Sequence, residues 1–110
     1  GPAGVPGFKP LWRPDNHATF FTAAEGWGLF TQTRNRDRQT DRIEVKWGKL
    51  RVKTLVFELP DAAVLRKAAV IIAGKAVVAK AKQDGKRVTI TLVREATVNR
   101  EKAVEVSMVF

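Results

Sequence analysis

Tryptophan and the charged residues around it are the side chains through which this sequence can act on another molecule. The chain carries three Trp and six Phe but no Tyr. Trp12 lies in a proline-rich stretch, Trp27 stands between Gly26 and Gly28, and Trp47 ends an alternating run. An exposed indole offers a flat apolar face with a polar edge, which suits the C–H faces of sugar rings or of nucleobases. Flanking glycines leave the Trp27 ring accessible, so ligand stacking and core packing are both open to it. Trp47 shares the parity of Ile43 and Val45, which assigns it first to the core. Trp12 either caps the domain or stands exposed. Glu25, Gln32, Arg34, Asn35 and Arg36 supply hydrogen-bonding groups for the rim of a site built on these rings.

The second chemical feature is positive charge. Lys plus Arg number 20 against 11 Asp plus Glu, a formal charge of +9. Between residues 34 and 53, Arg34, Arg36, Arg38, Arg42, Lys46, Lys49, Arg51 and Lys53 face only Asp37, Asp41 and Glu44. Lys80, Lys82 and Arg87 add to them further on. Such a surface attracts polyanions by steering and counterion release. The plainer reading is a solvated sheet face with lysines guarding the edge strands. The RNP aromatic motif of RNA-binding domains is missing from the sequence.

Catalytic chemistry has little to stand on. There is no G-x-G-x-x-G, P-loop, H-E-x-x-H or G-x-S-x-G. With no Cys the chain has no disulfide, thiolate nucleophile or Cys-based zinc site, and its single His excludes a multi-histidine metal site. Asp15 with Glu25, or Asp37 with Asp41, are the candidate carboxylate pairs for a glycosidase. The arginines around the second pair would lower a carboxyl pKa rather than raise it. His17 beside Asp15 and Asn16 reads as a hydrogen-bonded loop residue before a metal ligand. The expectation is a binding protein, not an enzyme, with no cofactor and no metal.

The elements that must hold these residues are strands. Ile43, Val45 and Trp47 alternate with charged residues; Leu50 and Val52 do so after Gly48; Leu55, Phe57 and Leu59 follow. The apolar parity changes twice, near Gly48 and near Lys53-Thr54. A turn at Gly48 and a bulge near Thr54 account for this, because one inserted residue re-phases the faces. Asp84-Gly85 suits a two-residue type I′ hairpin that pairs Ala81 with Val88, Ala79 with Ile90 and Val77 with Leu92. Its outer face then pairs Lys82 with Arg87 and Lys80 with Thr89.

Residues 19–23 and 27–33 read as two strands joined at Glu25-Gly26, and residues 35–41 as a polar loop. Residues 62–69 read either as a helix capped by Asp61 or as an irregular crossover into a strand at residues 69–72 that Gly74 ends. Residues 96–98 form a short strand, and Val104, Val106 and Met108 mark the inner face of the last one. Seven to nine short strands with frequent turns imply an all-β, antiparallel β-sandwich of jelly-roll type. Residues 1–14 hold four of the five prolines and read as a Pro/Gly-rich leader or linker, in which Gly1-Pro2 matches the scar of tag cleavage. Residues 15–110 then form one domain. The longest apolar run, residues 68–73, has six residues, far below the roughly 20 of a membrane helix.

At these residues a resemblance enters. The run Phe20-Phe21-Thr22-Ala23-Ala24-Glu25-Gly26-Trp27-Gly28-Leu29-Phe30-Thr31-Gln32 and the later Ile43-Glu44-Val45-Lys46-Trp47-Gly48-Lys49-Leu50 resemble a β-sandwich module attached to bacterial glycoside hydrolases. The tail, through Ala73-Gly74-Lys75 and Gly85-Lys86-Arg87-Val88-Thr89-Ile90-Thr91-Leu92 to Val104, resembles the C-terminal β-domains of such enzymes. The likeness spans residues 17–110 and rests on the style of its strands and turns. It implies a non-catalytic module, outside the bacterial cytoplasm, appended to a catalytic domain. Such a module binds a polysaccharide, acidic if the ligand is charged, or packs on its catalytic neighbour. A basic nucleic-acid-binding β-domain is the remaining alternative.

Overall fold

The computed structural model describes residues 8–12 and 18–110, with side chains from Gly26 onward. Every regular element in them is a strand: β1 (Phe8–Trp12), β2 (Ala18–Arg34), β3 (Arg38–Glu58), β4 (Lys67–Ile72), β5 (Lys75–Val77), β6 (Ala79–Asp84), β7 (Arg87–Asn99) and β8 (Ala103–Val109). They form one antiparallel sheet, nearly closed into a barrel. β1 falls inside the stretch read as a leader and pairs with β2. His17 and Asp15 lie outside the described residues.

β3 is the axis of the sheet. One edge pairs with β2 from Gln39 to Phe57. The other edge is shared, residues 38–44 going to β8 and residues 49–58 to β7. β8 leads on to β4 and β5, and β7 to β6. Only Val78 separates β5 from β6, and its carbonyl accepts the Val93 N–H at 3.1 Å. The two branches thus meet at their far ends. Between them lies the core: Ile43, Val45, Val70, Ile72, Val104, Val106 and Met108 from one branch, and Leu50, Val52, Leu55, Phe57, Val88, Ile90, Leu92 and Val98 from the other.

The inner face of β3 follows the alternation, with two re-phasings. The bulge expected near Thr54 is present: Val52 and Thr54 pair with consecutive β2 residues, Thr22 and Phe21, so Lys53 is the extra residue. The expected turn at Gly48 is absent. β3 runs straight through it, and the parity change there is a second bulge, at Lys46. Equally, β2 does not break at Glu25-Gly26. Gly26 lies opposite Gly48, and both take positive φ (146° and 76°), a bend in a continuous ribbon where two separate turns were expected.

Three further expectations change. The tip hairpin turns at Gly85-Lys86, one residue later than expected, so Ala81 pairs with Ile90 and Ala79 with Leu92. Gly85 has φ +61° and Lys86 is not in the left-handed region, the pattern of a II′ turn with glycine first rather than of I′. The shift puts Asp84 opposite Arg87 and Lys82 opposite Thr89, which removes the like-charge pair of the expected register. The I′-like turn is instead Ala73-Gly74, with φ of 50° and 80°. Residues 96–98 are the end of the long β7, reached past an irregular stretch opposite Lys53. Residues 60–66 form no helix. They cross over irregularly into β4, as the alternative reading had it.

That crossover is held by Gln83. Its side-chain carbonyl accepts the Leu65 N–H at 2.8 Å, and its amide donates to the carbonyls of Ala63 (2.8 Å) and Gly85 (2.9 Å). One side chain thereby satisfies backbone groups that a loop leaves open. Replacing it strands those groups, so Gln83→Ala is expected to lower stability by about 1–3 kcal/mol in urea unfolding. Lys82→Ala, on the solvated face beside it, should stay within about 0.5 kcal/mol.

Candidate functional site

The bulge at Lys46 decides where the tryptophans go. On β2 the inner positions are Gly26 and Gly28, both buried, and Phe30, which packs on the core. Trp27 and Leu29 therefore point to the outer face. On β3, Val45 is inward, and the extra residue at Lys46 turns Trp47 outward as well. Trp47 is 55% exposed, not a core residue as its parity with Ile43 and Val45 implied. It lies directly opposite Trp27, which is half-buried. Directly opposed side chains start about 4.5–5.5 Å apart at Cβ, so the two indoles stand at neighbouring outward positions of the ribbon. Leu29, 48% exposed, continues this outward face along β2.

Glycine makes this geometry possible from beneath. A Cβ on Gly26 would run into the Trp47 carbonyl oxygen, and one on Gly28 into the Glu44 carbonyl oxygen. The ribbon is therefore pinched under the indoles to a separation that only glycine permits.

A charged triad borders these positions. The Glu44 carboxylate, opposite Leu29, accepts from Lys46 Nζ at 2.9 Å and from Arg42 Nη1 at 3.2 Å. These two hydrogen bonds, Lys46's first, hold its pKa below the ordinary glutamate value. The interaction is thus present above that value and fades as pH falls through the lowered one.

Of the rim residues, Gln32, Arg34, Asn35 and Arg36 do not gather here. Gln32 and Arg34 lie on the inner parity of β2, and Arg34 stands about 23 Å along the strand from Trp27. Arg34 is engaged: Nε and Nη2 donate to Gln39 Oε1 at 2.9 and 2.7 Å, and Nη2 also reaches the Glu58 carbonyl at 3.0 Å. Gln39 passes the contact on, its amide donating to Asp41 Oδ2 at 2.7 Å. Asn35 and Arg36 are exposed at the β2–β3 turn. The backbone of Glu25 lies opposite Lys49 and that of Trp12 opposite Phe20; their side chains are outside the described residues.

Gln39 and Asp41 were expected in a loop, yet both are buried strand residues. The signal was available. They continue the inward parity of Ile43 and Val45, but with polar side chains. An arginine, an amide and a carboxylate thus run in series at this end of the sheet.

Searches of protein-family models, of curated proteins and of solved structures found no match. Among the described residues no group of three or more His, Cys, Asp or Glu is placed to hold a metal ion.

The pinch under the indoles can be tested directly. Gly26→Ala forces both a Cβ clash and an L side chain at positive φ. It should cost about 2 kcal/mol or more in chemical unfolding and change the near-ultraviolet dichroism of the tryptophans on either side of the pinch.

Proposed function

We propose that this protein is a non-catalytic carbohydrate-binding module whose Trp27–Trp47 surface stacks on sugar rings. The observation that carries the reading is the exposure of Trp47 directly across from Trp27 on an outward sheet face. Trp47, Trp27 and Leu29 on one outward face make a local apolar patch, and an indole offers the flat, polar-edged surface that a pyranose C–H face fits. Both rings rest on a doubly bulged, glycine-pinched ribbon, so little freedom is lost on binding.

On the resemblance stated above, the reading extends to an accessory module appended to a bacterial polysaccharide-degrading enzyme, secreted or periplasmic. Its contribution is then effective concentration: tethering the enzyme to its polymer makes each catalytic encounter intramolecular. A structural module that packs on the catalytic domain would use the same aromatic surface and would retain no glycan.

Trp47→Ala decides between them. The residue is exposed, so the change should leave the unfolding midpoint within the range of an ordinary surface substitution. Retention on an insoluble or gel-embedded polysaccharide should fall about tenfold or more, the worth of one aromatic contact. Unchanged retention by a folded Trp47→Ala variant would remove the reading.

A further inference from the structure

The charged triad beside the tryptophans continues across the sheet. Arg42 pairs with Glu105 on β8, and Glu105 pairs in turn with Ile71 on β4. Glu44 pairs with Ala103. The core-facing positions of these strands are their neighbours Ile43, Val104 and Ile72, so this set faces outward, as Trp47 does. Small side chains leave a hollow in that outward face, with a volume of about 320 Å³. Its floor is Ala103 and Ile71, both half-buried.

Two reverse turns wall it. One is Ala73-Gly74, tied down by the Ala73 N–H, which donates to the Ala103 carbonyl at 3.0 Å. The other carries Glu101 and Lys102, and its backbone bonds to Val45. Trp47 is two residues beyond Val45, so its backbone stands within about 10 Å of that wall. Arg42 and Glu105 complete the lining.

The charge of the hollow is unlike that of the chain. The chain carries +9, whereas the hollow is lined by two acids and two bases. Arg42 is already drawn to carboxylates on both sides, Glu44 at 3.2 Å and Glu105 at 3.9 Å. Among the described residues, the exposed side chains of Glu101 and Lys102 have no such partner. A polyanion gains no net attraction from this lining. An uncharged ring with hydroxyls can donate to the Glu101 carboxylate and accept from the Lys102 ammonium. Its C–H face meets the methyl groups of the floor. A volume at the low end of ligand sites takes one ring rather than a long stretch of chain.

Resting on the glycan-binding reading, we infer that this hollow is a second sugar subsite, and that the polymer recognised is a neutral polysaccharide laid across the strands between Trp47 and the hollow. Trp47 holds one ring by stacking. Glu101 and Lys102 hold another by its hydroxyls, and Arg42 links the hollow to Glu44 beside the tryptophans.

The test uses hexasaccharides of cellulose, xylan and mannan, each beside its disaccharide, with the galacturonate hexasaccharide as the acidic probe. Affinities are measured by titration calorimetry at low and high salt. Ala103→Phe fills the hollow with a residue that strands favour. Glu101→Asn/Lys102→Ala withdraws the polar groups and keeps the turn, because Asn tolerates left-handed backbone. Trp47→Ala is the third variant, and thermal unfolding confirms that each is folded. The intact chain should bind a neutral hexasaccharide about tenfold or more tighter than its disaccharide, with little dependence on salt. Ala103→Phe should bring the hexasaccharide down to the affinity of the disaccharide. Glu101→Asn/Lys102→Ala should weaken it about fivefold or more.

A gain with length that survives both hollow variants, or no gain at all, would overturn the subsite and keep the glycan reading, provided that Trp47→Ala still loses binding. Tighter binding of the galacturonate hexasaccharide than of every neutral one would overturn the neutral assignment. No binding of any probe by the intact chain would remove the subsite together with the glycan reading beneath it.

Discussion

A strand has two faces and a period of two, and the whole outer surface of this molecule follows from how often β3 departs from that period. It does so twice. One extra residue at Lys46 exchanges the faces, and a second at Lys53 exchanges them back. Between the two, the odd positions 47, 49 and 51 face solvent, whereas the odd positions before and after, from Ile43 to Val45 and from Leu55 to Leu59, face the core. Without the first bulge Trp47, Lys49 and Arg51 would point into an apolar interior, where an unpaired cation costs far more than any contact returns. The exposure of Trp47 and that of Lys49 and Arg51 are thus two outcomes of one insertion.

The bulges also reconcile β3 with its neighbours. The strand changes partner between residues 44 and 49, leaving β8 and joining β7. Across that gap β7 and β8 are joined by a turn in which Glu101 takes φ 68°, and Val45 exchanges backbone hydrogen bonds with Glu101 and Lys102 at 2.6 and 2.9 Å. The bend, the partner change and the Gly26–Gly48 pair all fall within a few residues. Local twist is greatest at bulges, so this is where a long ribbon can fold over toward a barrel.

Much of this was legible in the residues, for reasons that can be named. The apolar alternation marked the core face of β3, β7 and β8, and both parity changes were visible as breaks in it. What the alternation could not say was whether a break beside a glycine is a turn or a bulge, because both re-phase a strand by one. The deciding fact is non-local: a β2 long enough to pair through the break. The same ambiguity moved Trp47 from core to surface. At the hairpin, Asp84-Gly85 marked the turn, but the charges chose its register, since setting Asp84 against Arg87 is better than setting Lys82 there. Gln39 and Asp41 were missed because polar residues on a core parity read as loop unless a partner such as Arg34 is known. Of the candidate binding residues, Trp27 and Trp47 converge, while Arg34 is drawn into the barrel end by a contact that spacing alone does not disclose.

The sharing of β3 by both branches bears on how the molecule comes apart and together. The branches hold separate stretches of β3, residues 38–44 and 49–58, but both stretches lie on the one β2–β3 ladder and the branches meet again at Val78, so opening one uncovers the core face of the other. Separable sub-global openings need elements with their own hydrogen-bonded frame, and here only edge elements such as β5 and the β6 end of the hairpin have few such ties. The chain should behave as one cooperative unit. Its assembly is correspondingly non-local: Arg38 must find Val109 almost at the far end of the sequence before the first branch exists. Contacts of that reach slow folding and leave the apolar face of a long, twice-bulged strand uncovered in the meantime. The lysines at both bulges serve then in another capacity, as charges that discourage two such strands from different molecules from pairing with each other.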